Sequence, residues 1–113
     1  MAGNVGSKVV FENDKIKVWD FILEPGEETE LHTHDKSYIW YAIQGGPLDC
    51  EDAHGNDLGV FDVPTGSTFE IACKGDELEV KSDIAKGVVF PATHKAQNAG
   101  KTQYREILIE FKE

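Results

Sequence analysis

Residues 25–46 read PGEETELHTHDKSYIWYAIQGG. Pro25-Gly26 opens the stretch as a turn, because Pro presets φ and Gly tolerates a positive one. Gly45-Gly46-Pro47 marks a turn at its far end. Between them, residues 30–34 read as a short strand and Tyr38–Gln44 as a longer, aromatic one. His32 and His34 stand two residues apart. On a strand such a pair leaves one face, where two imidazoles can converge on an ion at nitrogen–metal distances of about 2.0–2.1 Å. A solvated strand face can carry the same pair, so the spacing alone leaves both readings open.

The same grammar extends outward. Lys8–Glu12 and Ile16–Leu23 (IKVWDFIL) read as strands on either side of Asn13-Asp14. Residues 48–53 and 58–63 flank His54-Gly55-Asn56-Asp57, and residues 68–73 and 77–82 flank Lys74-Gly75-Asp76, which predicts two hairpins. Residues 88–90 lead into Pro91, and Tyr104–Phe111 closes the chain. No stretch sustains a helical period for three turns, and there is no internal repeat. Nine or ten short strands with regular turn signals predict an all-β sandwich or barrel. An open sheet of this size would leave long edges free to pair, so closure into a double-sheet jelly roll is expected.

The 113 residues fit one domain spanning 1–113, with residues 1–7, small and polar, expected as a flexible N-terminus. Eleven basic and 21 acidic side chains give a formal net charge of -10, which repels phosphate backbones and anionic headgroups. Nucleic acid and membrane are therefore poor partners. No run approaches the roughly 20 apolar residues that span a bilayer. The N-terminus lacks the basic start and apolar stretch of a secretory signal, so a cytoplasmic location is expected. Cys50 and Cys73 form no C-x-x-C motif and read as reduced, buried thiols.

Two imidazoles rarely hold a metal firmly, so a third ligand has to come from a distant strand. His94, after Pro91 and before the last strand, is the best candidate, although a lone histidine there can also be a polar residue at a strand end. His54 sits in a polar hairpin tip and is expected to be solvated.

These residues resemble the cupin superfamily. Its first motif, G-x5-H-x-H-x3/4-E-x6-G, is matched by Gly26, His32, His34, Tyr38 and Gly45 at every spacing, with Tyr38 where the family usually has a ligating Glu. Of its second motif, G-x5-P-x-G-x2-H-x3-N, the end is intact as His94 and Asn98. The front is altered: Pro91 stands only three residues before His94, and the P-x-G step is missing. A rival register remains open. Residues 59–66 (GVFDVPTG) also resemble that front and would put Phe69 in the histidine slot. His94 is preferred because it carries H-x3-N and is followed by Ala99-Gly100 and one last strand.

The resemblance implies a double-stranded β-helix, that is, a jelly-roll barrel, with a metal held by His32, His34 and His94. Three neutral imidazoles leave a divalent ion with its full charge, which favours an anionic, chelating substrate. Some cupins with this three-His pattern look like Fe2+ dioxygenases that cleave β-diketones or oxidise thiols. That is the leading implied function, with Zn2+, Ni2+ or Mn2+ equally able to sit on imidazole ligands. A non-oxidative lyase or isomerase and a non-catalytic small-molecule binder are the alternatives. Tyr38 has three readings: a hydrogen-bond donor to substrate or O2, a phenolate ligand, or packing. Trp40, Phe21 and Phe90 are candidates for the pocket lining. Arg105 shares parity with Ile107, Ile109 and Phe111; if that face is inward, it would pair with a substrate anion. The resemblance also implies a small-molecule substrate and a homodimer.

Overall fold

The computed structural model describes residues 5–112. Among them are eleven strands and no helix: β1 (Lys8–Glu12), β2 (Ile16–Leu23), β3 (His32–Thr33), β4 (Tyr38–Gln44), β5 (Gly46–Asp52), β6 (Asp57–Val63), β7 (Thr68–Lys74), β8 (Glu77–Val80), β9 (Val89–Pro91), β10 (Thr93–Asn98) and β11 (Tyr104–Phe111). No helix is long and apolar enough to cross a membrane among these residues.

The turns form where short polar side chains satisfy the backbone. Asn13 Oδ1 accepts from the N–H groups of Lys15 and Ile16 at 2.8 and 2.9 Å, closing the β1–β2 turn. Asp52 Oδ1 does the same for His54 and Asn56 at 2.8 and 2.9 Å in the β5–β6 tip. His54 is exposed there, as expected. At the β7–β8 tip Gly75 takes φ 68°, which a side chain would resist.

The strands make two antiparallel sheets. One has seven strands in the order β1-β2-β11-β4-β7-β8-β9; the other has four, β3-β10-β5-β6. Both contribute to one core, with Tyr38, Trp40, Phe69, Ile71, Tyr104 and Leu108 from the larger sheet and Leu48 and Val63 from the smaller. Each such large side chain adds about 1.5–3 kcal/mol relative to leaving it in water. Burial alternates strictly along β10 and over β11 up to Glu110, so each presents one face inward.

Three features differ from the sequence-based expectation. β10 is a strand that the sequence pattern does not predict. Its inward residues are His94, Ala96 and Asn98, so the period of two is carried mostly by polar side chains and gives no hydrophobic signal. Gly45 is not part of a hairpin turn. It is the single residue between β4 in one sheet and β5 in the other, and a Cβ there would meet Val63 O at 2.0 Å. The corner is a contact of bare backbone. The segment expected to be flexible is docked from Val5 onward: Val5 is buried, and Ser7 N donates to Asp20 O at 2.7 Å. Residues 1–4 of that segment lie outside the described residues.

Candidate metal centre

His32 and His94 face each other across the β3–β10 ladder as a register pair. His34 follows just beyond the two residues of β3, anchored by its N–H donating to Ala92 O at 2.9 Å. The three rings converge, with centroids 4.7, 4.9 and 5.1 Å apart. All three are buried, and each offers a donor nitrogen within 4.8 Å of the others. No carboxylate belongs to this group.

The protonation pattern suits an ion. Burial holds all three imidazoles below the ordinary 6.5, His94 down to about 4, so they are neutral near pH 7 and keep a lone pair. For His34 and His94 the neighbouring rings add to the effect. His32 Nδ1 lies 2.9 Å from Glu30 O, and His94 Nδ1 lies 2.8 Å from Pro91 O. A carbonyl can only accept, so each Nδ1 carries the hydrogen and leaves Nε2 free to coordinate. His34 Nδ1 is buried with no partner. Three neutral nitrogens, two oriented by backbone carbonyls and one ring with an unclaimed polar atom, fit a divalent ion.

The histidines stand in the wall of a cavity of about 230 Å³, lined also by Phe21, Tyr38, Trp40, Phe90, Glu106 and Leu108. Tyr38 stacks on His34 at 4.3 Å and 16°, so its ring lies flat against the imidazole. Burial, followed by the charge of Glu106, pushes its hydroxyl well above the ordinary 10, so with no ion beside it the phenol is protonated near pH 7. Trp40 stacks between Tyr38, at 6.2 Å, and Phe69, at 4.7 Å. Phe90 lies 5.4 Å from the His94 ring.

Comparison with solved structures places this architecture. A cupin domain from Bordetella pertussis Tohama I superposes with a TM-score of 0.68 over 94% of this chain and 91% of that one, at 24% identity. The chain has the cupin fold. An uncharacterized conserved protein with a double-stranded β-helix domain from Klebsiella pneumoniae matches with a TM-score of 0.56 at 18% identity, covering 95% of this chain and 77% of that one. The polyketide cyclase RemF from Streptomyces resistomycificus matches with a TM-score of 0.53 at 16% identity, covering 89% of this chain and 57% of that one. No family profile matches the sequence, and no curated protein is similar to it in sequence.

Within the cupin barrel the register question resolves on His94. Phe69 pairs with Trp40 within the seven-stranded sheet and is wholly buried, while His94, in the four-stranded sheet, faces His32. His32, His34, His94, Tyr38, Trp40, Phe21 and Phe90 all line the one cavity. Arg105 does not, which corrects the expectation for it. The inward residues of β11 are Tyr104, Glu106, Leu108 and Glu110. Arg105 has the opposite parity and is held outside by Asp20, with Nε to Oδ1 at 3.1 Å and Nη2 to Oδ2 at 2.9 Å. The misleading signal was Ile107, Ile109 and Phe111, three apolar residues on the outer parity. The residue that sequence reasoning missed is Glu106, and its inward neighbours Tyr104 and Leu108 were the signal available for it. Cys50 and Cys73 are unpaired and half-buried; burial pushes the Cys50 thiol up to about 11, so it is not a thiolate.

Proposed function

We propose that this cupin-fold protein holds a divalent ion through His32, His34 and His94 and acts on a small, chelating, anionic ligand of the β-diketone type as an Fe2+ dioxygenase. One observation carries the reading: three buried neutral imidazoles meet at a cavity wall with no carboxylate among them. An ion held this way keeps its full positive charge, which an enolate with two oxygens offsets. The cavity, at about 230 Å³, is below the roughly 300–1,000 Å³ of pockets for drug-sized ligands, so the ligand is small. Its aromatic and aliphatic walls suit a molecule that is apolar outside its oxygen pair.

Fe2+ when bound supplies the electron exchange with O2 that no side chain here provides. The chain's own part is positional. Glu30 O and Pro91 O fix the tautomers of His32 and His94. Phe21, Trp40 and Phe90 give the cavity apolar walls. Tyr38, stacked on His34 and protonated, has a hydroxyl that can donate a hydrogen bond to the ligand.

The test is anaerobic loading of purified protein with Fe2+, followed by O2 and 2,4-pentanedione. Expected is the uptake of O2 in step with loss of the diketone. Uptake no greater than in the metal-free protein, across a panel of diketones and thiols, overturns the proposal. A second reading is a non-oxidative Lewis-acid enzyme on the same class of enolisable ligand, favoured by the fold shared with a polyketide cyclase. Turnover that persists under strict anaerobiosis, with Zn2+, Ni2+ or Mn2+ bound, selects it.

A further inference from the structure

A second polar group stands in the same cavity. Glu106 is buried on the inward face of β11 and lines the space the histidines line. The Tyr104 hydroxyl, on the same face, donates to Glu106 Oε1 at 2.5 Å. Its place along the barrel is set by the β4–β11 ladder. Tyr38, stacked on His34, pairs with Glu110; Trp40 pairs with Leu108; Ala42 pairs with Glu106. Glu106 is therefore four residues, about 13 Å of strand, beyond the level at which Tyr38 meets the histidine cluster.

Among the described residues no positive charge offsets the carboxyl. Its ladder neighbours are Phe21 on β2 and Ala42 on β4. The titratable groups around it are Tyr104 on its own strand and Tyr38 on β4, with Cys50 of β5 beside both tyrosines. Arg105 points to the other face and is taken by Asp20. A carboxyl buried without a cation keeps its proton, and burial pushes Glu106 up to about 8. With Oε1 accepting from Tyr104, the hydrogen of the acid is a donor that no described residue accepts.

We propose that Glu106, oriented by Tyr104, is the second recognition point of the ligand site, and that the ligand carries a hydrogen-bond acceptor, separated by an apolar middle from the oxygen pair at the histidine end. This rests on the chelation reading above and narrows its ligand class. A simple diketone fills only the histidine end. A diketone with a neutral ester or ketone on a short alkyl arm satisfies both ends.

The test uses protein loaded with Zn2+, so that binding is read without turnover. Two probes are titrated calorimetrically at pH 6.5: methyl 5,7-dioxooctanoate, which carries an ester on its arm, and 2,4-nonanedione, which carries none. The ester should bind about fivefold tighter, the worth of one neutral hydrogen bond. The preference should survive in Glu106→Gln, whose amide still donates. It should vanish in Glu106→Leu and in the Glu106→Leu/Tyr104→Phe pair, which leaves no orphaned hydroxyl. It should also vanish at pH 9, where the acid has ionised. Equal binding of the two probes to the unaltered protein, or an equal preference in Glu106→Leu and its double variant, overturns the inference and leaves chelation intact. If neither probe binds although Zn2+ is retained, the chelation reading itself fails, and this inference falls with it.

Discussion

The two ends of the cavity use burial to opposite effect. At one end burial holds three bases without their protons; at the other it holds an acid with its own. Dehydration disfavours whichever form is charged, so one physical cause makes lone pairs available at the histidines and a hydrogen available at Glu106. The ends also differ in how they are fixed. His32 and His94 are tied to backbone carbonyls, Glu106 only to another side chain. The histidine end is held by the fold itself, and the acid end by a pair that substitution can remove.

The largest effect that could break this comparison is on metal content. His94→Ala removes the one ligand drawn from β10, and affinity should fall by more than the roughly 10–100-fold that loss of a mere supporting contact costs. Elemental analysis should show bound metal dropping from about one ion per chain to a small fraction; unchanged content would disprove the site. Next is acid lability of the metal-free protein. His94 titrates at 6.5 when unfolded and at about 4 when folded. Between those values the unfolded chain binds more protons, so stability falls as pH drops, by ~3 kcal/mol from this ring alone. Urea unfolding of a chelator-treated Glu106→Gln variant isolates this limb.

Glu106 should produce a slope of opposite sign, of which a smaller part is visible by itself. Its carboxyl titrates at 4.5 unfolded and at about 8 folded, so between these the folded state binds more protons and stability falls as pH rises. The histidines oppose it up to 6.5. From there to pH 8 its loss of about 2 kcal/mol stands nearly alone, and Glu106→Gln should flatten it in the same urea series. The smallest effect on the site sharpens the comparison from outside. Arg105→Ala strips the buried Asp20 carboxylate of its bidentate partner on the outer face of the sheet, so it should lower the melting temperature while leaving the site alone. Metal content and diketone affinity should stay unchanged; a fall in affinity would put Arg105 back in the site.

Most of the barrel was legible because its punctuation is chemical. Asn13, Asp52 and Gly75 stop strands for reasons visible in one residue at a time. The histidine triad was legible because the H-x-H pair shares a face, and His94 added a third ring at a matching position. What stayed hidden was long-range. The strand β10 buries polar residues, so its alternation carries no apolar mark. On β11 both parities hold apolar side chains, and only the neighbouring strands decide which one is inside. That choice exchanged Arg105 for Glu106 and with it a cation for an acid.

The Gly45 corner bears on any attempt to redesign specificity. With Val63 O 2.0 Å from where a methyl group would have to go, the chain cannot be spread at the point where it changes sheets. Larger ligands therefore have to be accommodated by trimming wall residues such as Phe21, Phe90 or Leu108, and a library directed at residue 45 would return misfolded variants instead of altered preferences.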